Sequence, residues 1–208
     1  MTEGKKRILL IGASGTLGRA VAAELGARHE IVASSRKTGI KIDIADPLSI
    51  RQGLEKAGAL DAVVCAAGAV NFTPLAEIAP ATVDQSSYGL GITNKLLGQV
   101  NLTLAARDAL RDGGSITLIS GILSEQPIAA GSSASMVNGA LEAFVRAAAI
   151  EMPRGLRINV VSPNVFQESM ADYGPFFRGF EAVPVQRAAL AFSRSVEGLQ
   201  TGQVYRVF

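Results

Sequence analysis

Several residue types on which whole classes of protein depend are scarce in this chain. It has one cysteine, Cys65, no tryptophan, and only 5% aromatic residues among its 208. A lone thiol cannot close an intrachain disulfide, so nothing reads as a disulfide-stapled secreted scaffold. Long apolar runs are missing as well. "KKRILLIGA" is too short, and too soon interrupted at Gly12, to act as a signal segment, and no other stretch is long enough to span a bilayer. The formal net charge is only +2, and apart from Lys5, Lys6 and Arg7 the basic residues are scattered, which leaves no stripe to track a phosphate backbone. The expectation is a cytoplasmic protein that takes neither nucleic acid nor membrane as partner, and no metal.

What is present fits one compact domain spanning residues 1–208, with 48% apolar and 18% charged residues. Short apolar runs alternate with longer stretches of helical period, the pattern of a parallel sheet covered on both faces. Strands are predicted at 7–11, 30–34, 40–44, 61–67, 115–120, 157–162 and 203–208. Helices are predicted at about 17–28, 47–57, 92–111, 134–152 and 182–198, most of them stopping near Gly or Pro. Right-handed crossovers then give an α/β doubly wound, Rossmann-type parallel sheet of about seven strands. Such a sheet holds ligands beyond the carboxyl ends of its strands, where the strand order reverses.

The stretch "RILLIGASGTLGRA" places Gly12, Gly15 and Gly18 between the first strand and the first helix. Three bare positions let the backbone approach a ligand, and the amide groups opening the helix offer a site for a pyrophosphate. No Lys-Ser or Lys-Thr follows, which disfavours a P-loop. At the end of the second strand, "VASSRK" supplies no carboxylate for a ribose 2′-hydroxyl. It offers instead Ser34, Ser35 and the fork-shaped cation of Arg36, with Lys37 beside it, which suits a 2′-phosphate and so NADP over NAD.

At this point the chain resembles the short-chain dehydrogenase/reductase family over essentially its whole length. "GASGTLG" is similar to that family's glycine loop, "IDIAD" to its adenine-binding segment, and "CAAG" to its Asn-Asn-Ala-Gly strand end. "QVNL", "GGSITLISG", "ALEAF", "RINVVSPN" and "TGQVYRV" follow in family order. The resemblance implies cofactor contacts from Gly12, Ser14, Thr16, Leu17, Ser35, Arg36, Asp43, Ile44, Ala67 and Gly68. It also implies a homodimer or homotetramer built on the long helices flanking the fifth strand, and a small-molecule substrate if the chain is active.

The departures fall on the chemistry. Registered on "ALEAF", the family's Tyr and Lys positions hold Ala134 and Asn138, and Gly121 stands near its Ser. Asn101 is the remaining family catalytic identity. A methyl and an amide cannot relay a proton as a phenol and an ammonium do, so the usual mechanism cannot run as written. The loop "GILSEQPIAAGSS" at the carboxyl edge brings up Ser120, Ser124, Glu125, Ser132 and Ser133, of which Glu125 is titratable; Asn138 can order a water or a carbonyl. Asn101, Ser120, Glu125 and Asn138 are therefore the catalytic candidates. His29 is expected at the opposite edge, Cys65 inside a strand, and Lys95 in solvent, because six residues separate it from Asn101, about 240° around an α-helix. Tyr88 has no assignable place. The aromatic run "DYGPFFRGF" is expected either to wall an apolar pocket or to pack within the core or against a subunit. Two functions follow: an NADP-dependent oxidoreductase on a small carbonyl or alcohol with an altered proton relay, or an inactive NADP(H)-binding sensor or partner-binding protein.

Overall fold

The computed structural model describes residues 4–36 and 39–208. Seven parallel strands form one sheet in the order β3-β2-β1-β4-β5-β6-β7. They are β1 (Arg7–Ile11), β2 (Glu30–Ser35), β3 (Ile40–Lys41), β4 (Leu60–Cys65), β5 (Leu110–Ile119), β6 (Arg157–Pro163) and β7 (Val204–Val207). The order reverses between β1 and β4, which places the crevice of a doubly wound sheet at their carboxyl ends.

Strand side chains alternate between two apolar layers. Leu9, Val63, Ile116 and Ile158 pack under α2 (Pro47–Ala57), α3 (Leu97–Ala109) and α4 (Ser132–Glu151). Ile8, Leu10, Val64 and Val161 pack on the other face under α1 (Thr16–Gly26) and, beyond the short α5 (Met170–Tyr173), under α6 (Val185–Glu197). Among the described residues no helix is long and apolar enough to cross a membrane.

Local chemistry sets the element ends. Asp46 caps α2 by accepting from the Leu48 amide at 2.9 Å, Pro47 opens the helix, and Gly58 closes it at φ +69°. The expected strand at 40–44 lasts only two residues. Asp43 accepts the Ala45 amide at 3.0 Å and gives its own amide to Ser49 Oγ at 3.0 Å. The backbone thus turns out of the ladder while Ile42 and Ile44 still reach the core. β5 runs longer than expected, reaching back to Leu110, which pairs with Leu60 across an irregularity in the register. The predicted helix at 92–111 begins with a wide π turn, Gly91–Leu96, in which the Leu97 amide bonds to the Ile92 carbonyl five residues back.

Candidate functional site

The glycine loop is packed to a tolerance that excludes side chains. Gly12 has φ +82°, and a Cβ there would stand 2.7 Å from the Ala66 carbonyl oxygen. A Cβ on Gly18 would stand 2.0 Å from the Gly12 carbonyl oxygen, so these two glycines let loop, helix and β4 meet. Gly15 differs: its nearest neighbour would be 3.4 Å away, ordinary contact distance. It faces open space at the start of α1, whose first turn has no side-chain cap.

This loop borders a cleft of about 270 Å³. Gly12, Ser14, Gly15, Ser35, Arg36, Asp43, Ile44, Ala67 and Gly68 line it, all of them expected cofactor contacts, together with Asn94, which the sequence reading did not single out. Asn94 Oδ1 accepts the Ala69 amide at 2.8 Å and so pins the strand end that floors the cleft. Thr16, Leu17 and Gly18 do not line it; they belong to the opening turn of α1, with Leu17 buried in the core. Lys37 lies outside the described residues. The cradle suits a dinucleotide: bare backbone and uncapped helix amides for a pyrophosphate, and Ser35 with the exposed Arg36 at the ribose end of β2.

A second cleft, of about 240 Å³, meets the first at Gly68. Its polar end is made by Lys95, Ser120, Gly121 and Asn138, and its apolar walls by residues such as Phe72, Ile122, Tyr173 and Phe177. Two of the rings of "DYGPFFRGF" thus wall a pocket. Phe72 anchors that wall, with its ring centroid 5.5 Å from that of Phe176 and 6.0 Å from that of Tyr173.

Lys95 is the principal correction to the sequence reading. It is not in solvent. Its side chain runs over Gly68, where any Cβ would lie 2.7 Å from Lys95 Cγ, and its ammonium donates to the Ser120 carbonyl at 2.9 Å. The wide turn at Gly91–Leu96 presents it to the cleft, and Gln99 holds the start of α3 by bonding both the amide and the carbonyl of Ile119, at 2.9 and 3.0 Å. Burial pulls the Lys95 pKa down from 10.5 to about 8, while the facing Cys65 and Glu142 oppose the drop.

Asn138 occupies the floor beside it. Its Nδ2 donates to the Gly121 carbonyl at 3.2 Å, and its buried Oδ1 has no hydrogen-bond partner among the described residues. Glu142, one turn further along α4 and 4% exposed, accepts from Ser120 Oγ at 3.0 Å and Ser124 Oγ at 2.8 Å. Neither Lys95 nor Glu142 stood among the catalytic candidates of the sequence. Of those candidates, Ser120 and Asn138 reach the cleft and Asn101 and Glu125 do not. Asn101 is half-buried on α3, and the exposed Glu125 is paired with Arg206 of β7 at 2.5 Å. Tyr88 does not replace the missing phenol in the cleft: its hydroxyl bonds Ser132 Oγ at 3.1 Å at the foot of α4. His29 sits at the opposite edge, 3.0 Å from Glu197, and burial pushes the Cys65 thiol up to about 12.

A glycine-bordered cleft at the switch point of a parallel sheet, joined to a smaller pocket, is the layout of a dinucleotide-dependent enzyme fold. Residues 12–203 match the family model described as enoyl-(acyl carrier protein) reductase. The chain belongs to this family, a branch of the short-chain dehydrogenases/reductases, which are oxidoreductases. An uncharacterized oxidoreductase of Mycobacterium tuberculosis is 29% identical over 195 residues, covering 81% of this chain and 70% of the relative. One from Methylorubrum extorquens is 30% identical over 186 residues, covering 77% and 73%. Among solved structures, the protein lin1944 from Listeria innocua is 48% identical with a TM-score of 0.93, over 98% of this chain and 100% of that one. A small-chain dehydrogenase in complex with NADPH shares the fold at 24% identity, with a TM-score of 0.83 over 98% and 96% of the two chains.

Proposed function

We propose that this chain is an NADP(H)-dependent oxidoreductase that interconverts a small carbonyl compound and its alcohol without the family's Tyr-Lys pair. The observation that carries this reading is the joining of two clefts at Gly68: one fitted to a dinucleotide, with Ser35 and Arg36 and no carboxylate at the end of β2, the other lined by the half-buried Lys95 and by Asn138, whose amide oxygen has no partner among the described residues. The NADPH complex of a protein with the same fold supports the choice of cofactor. Bound NADPH supplies hydride to a carbonyl carbon. The chain's own residues bind and orient: helix-opening amides hold the diphosphate, Arg36 the 2′-phosphate, and the Phe72, Tyr173 and Phe177 wall keeps water from an apolar substrate body. A pocket of about 240 Å³ suits a compact substrate.

The test is a fluorescence titration with NADPH and NADH, followed by NADPH oxidation against a panel of small aldehydes and ketones. Micromolar NADPH binding, weaker NADH binding and turnover of some carbonyl support the reading; no NADPH binding at millimolar concentration overturns it. The replacement of Ser, Tyr and Lys by Gly121, Ala134 and Asn138 favours a second reading, an NADP(H)-binding sensor or partner-binding protein, for which tight binding without turnover is the signature. We also infer a homodimer or homotetramer through α3 and α4, where Leu97, Leu104 and Met136 are exposed. Light scattering at micromolar concentration that finds only monomer removes that inference.

A further inference from the structure

We propose that Lys95 is the proton donor of this site, replacing from the wide turn before α3 the relay that α4 has lost. The proposal rests on the NADP(H) reading above. Three observations carry it. The ammonium lies in the pocket with Ser120, Gly121 and Asn138, at the positions where the family's chemistry is expected. Among the described residues it makes one hydrogen bond, to the Ser120 carbonyl, which leaves two N–H groups for a substrate oxygen. Asn138 lines the same pocket and keeps a buried Oδ1 that has no partner among the described residues, an acceptor the protein itself leaves unused. An amine with N–H groups to spare suits an oxygen that is a carbonyl on one side of the reaction and an alcohol on the other, donating to the first as ammonium and accepting from the second as neutral amine.

The step balances simply. As hydride from the reduced nicotinamide nucleotide forms the new C–H bond at the carbonyl carbon, the C=O π pair moves to oxygen. That oxygen takes a proton from Lys95 Nζ, leaving a neutral amine and an alcohol. The amine regains its proton from solvent before the next turnover, and the reverse reaction uses the neutral amine as base.

The environment is arranged for both states. The groups facing Lys95 are the Cys65 thiol from β4, the Glu142 carboxylate from α4 and the Tyr173 phenol across the pocket; Arg146 lies 3.8 Å from Glu142 on its far side. Burial brings the Lys95 pKa to about 8, near the working pH of a general acid. Glu142 opposes the drop and, through its bond to Ser120 Oγ, steadies the residue whose carbonyl holds the ammonium. Glu142 is a positioning residue here, since it acts through Ser120 and Lys95.

The experiment compares wild type with Lys95→Met, Lys95→Arg and Glu142→Gln. NADPH binding is read by fluorescence, carbonyl reduction is followed from pH 6 to 10, and the lysine titration is followed by NMR of protein carrying 13C-methylated lysines, with the Lys95 signal identified by its loss in Lys95→Met. The expected result is an NADPH Kd within about threefold of wild type in all variants, with kcat down by about 10²-fold or more for Lys95→Met and Lys95→Arg. Wild-type reduction declines above about pH 8, and the Lys95 resonance titrates there too, both moving lower in Glu142→Gln. Circular dichroism confirms folding, and Lys95→Arg, which keeps the charge but holds its proton, separates relay from structural support. The relay is overturned if Lys95→Met keeps most of its activity, if Lys95 titrates at the ordinary 10.5, or if wild type binds NADPH yet reduces no carbonyl. Failure of wild type to bind NADPH at all overturns the cofactor reading instead, and is seen in the first titration.

Discussion

Lys95 and Asn138 grip consecutive carbonyls of one loop, one from the wide turn before α3 and the other from α4: Lys95 Nζ donates to the Ser120 oxygen at 2.9 Å and Asn138 Nδ2 to the Gly121 oxygen at 3.2 Å. The segment after β5 is thus held from both sides where the family places its serine, and the site has one cation where a Lys at position 138 would make two. Asn138→Lys is expected to lower stability by about 1–3 kcal/mol, since it sets a second ammonium in the same poorly solvated pocket and breaks the bond to Gly121. Urea unfolding at pH 7 checks this. A variant as stable as wild type would show that the pocket tolerates two charges.

The glycine loop predicts a dissociation between folding and binding. Gly18→Ala drives a methyl against the Gly12 carbonyl at 2.0 Å and should lower the Tm by several degrees, corresponding to about 2 kcal/mol or more. At Gly15 a Cβ would meet nothing closer than 3.4 Å at the mouth of a cleft, so the fold should survive Gly15→Asp. Its carboxylate would face the site proposed for a diphosphate, and NADPH affinity should fall by at least about tenfold. Thermal melts and a fluorescence titration on the two proteins separate these effects.

Arg36 is exposed at the rim of the larger cleft, so its replacement should leave stability within about 0.5 kcal/mol of wild type. Arg36→Ala is expected to weaken NADPH binding by about tenfold or more and to leave NADH binding nearly unchanged, because only the former carries a 2′-phosphate to pair with a guanidinium. Equal losses for both nucleotides would move the 2′-phosphate away from Arg36.

Lys95 also predicts a pH dependence of stability. Its folded-state pKa, about 8, lies below its ordinary 10.5. Between these values the unfolded chain binds the extra proton, so raising the pH stabilises the folded state, by at most about 1.4 kcal/mol per pH unit. The difference in unfolding free energy between wild type and Lys95→Met should therefore shift in favour of wild type from pH 8 to 10. A flat difference would place the amine in ordinary solvent.

Cys65 is buried in β4 with its thiol pushed up to about 12. Native protein at pH 8 should show no rapid reaction with a disulfide reagent such as dithionitrobenzoate, and one thiol per chain once unfolded. Rapid modification in the native state would indicate that β4 opens.

Much of the architecture was legible because its signals are local. Asp46, Pro47 and Gly58 write both ends of α2 into the sequence, and Gly12, Gly15 and Gly18 mark the strand-turn-helix. "IKIDI" has strand composition throughout, yet β3 stops at Lys41 because Asp43 bonds the backbone two residues on. The site was harder to read. Nine of the expected cofactor residues line one cleft because they lie at strand ends, whose location follows from topology. The 3.6-residue period that points Lys95 to solvent does not hold through the wide turn at Gly91–Leu96. Glu125 pairs with Arg206, 81 residues away, and Glu142 with Ser120 and Ser124 of another element, partners that no local pattern shows.

The ring that closes over five residues before α3 stores one residue of slack. Deleting Leu96 would let that segment wind as ordinary helix and carry Lys95 about 100° around the axis, away from its present aim into the pocket. The aim of the charge is therefore written in chain length as well as in residue identity: a single-codon loss can disarm the pocket without replacing any residue that lines it.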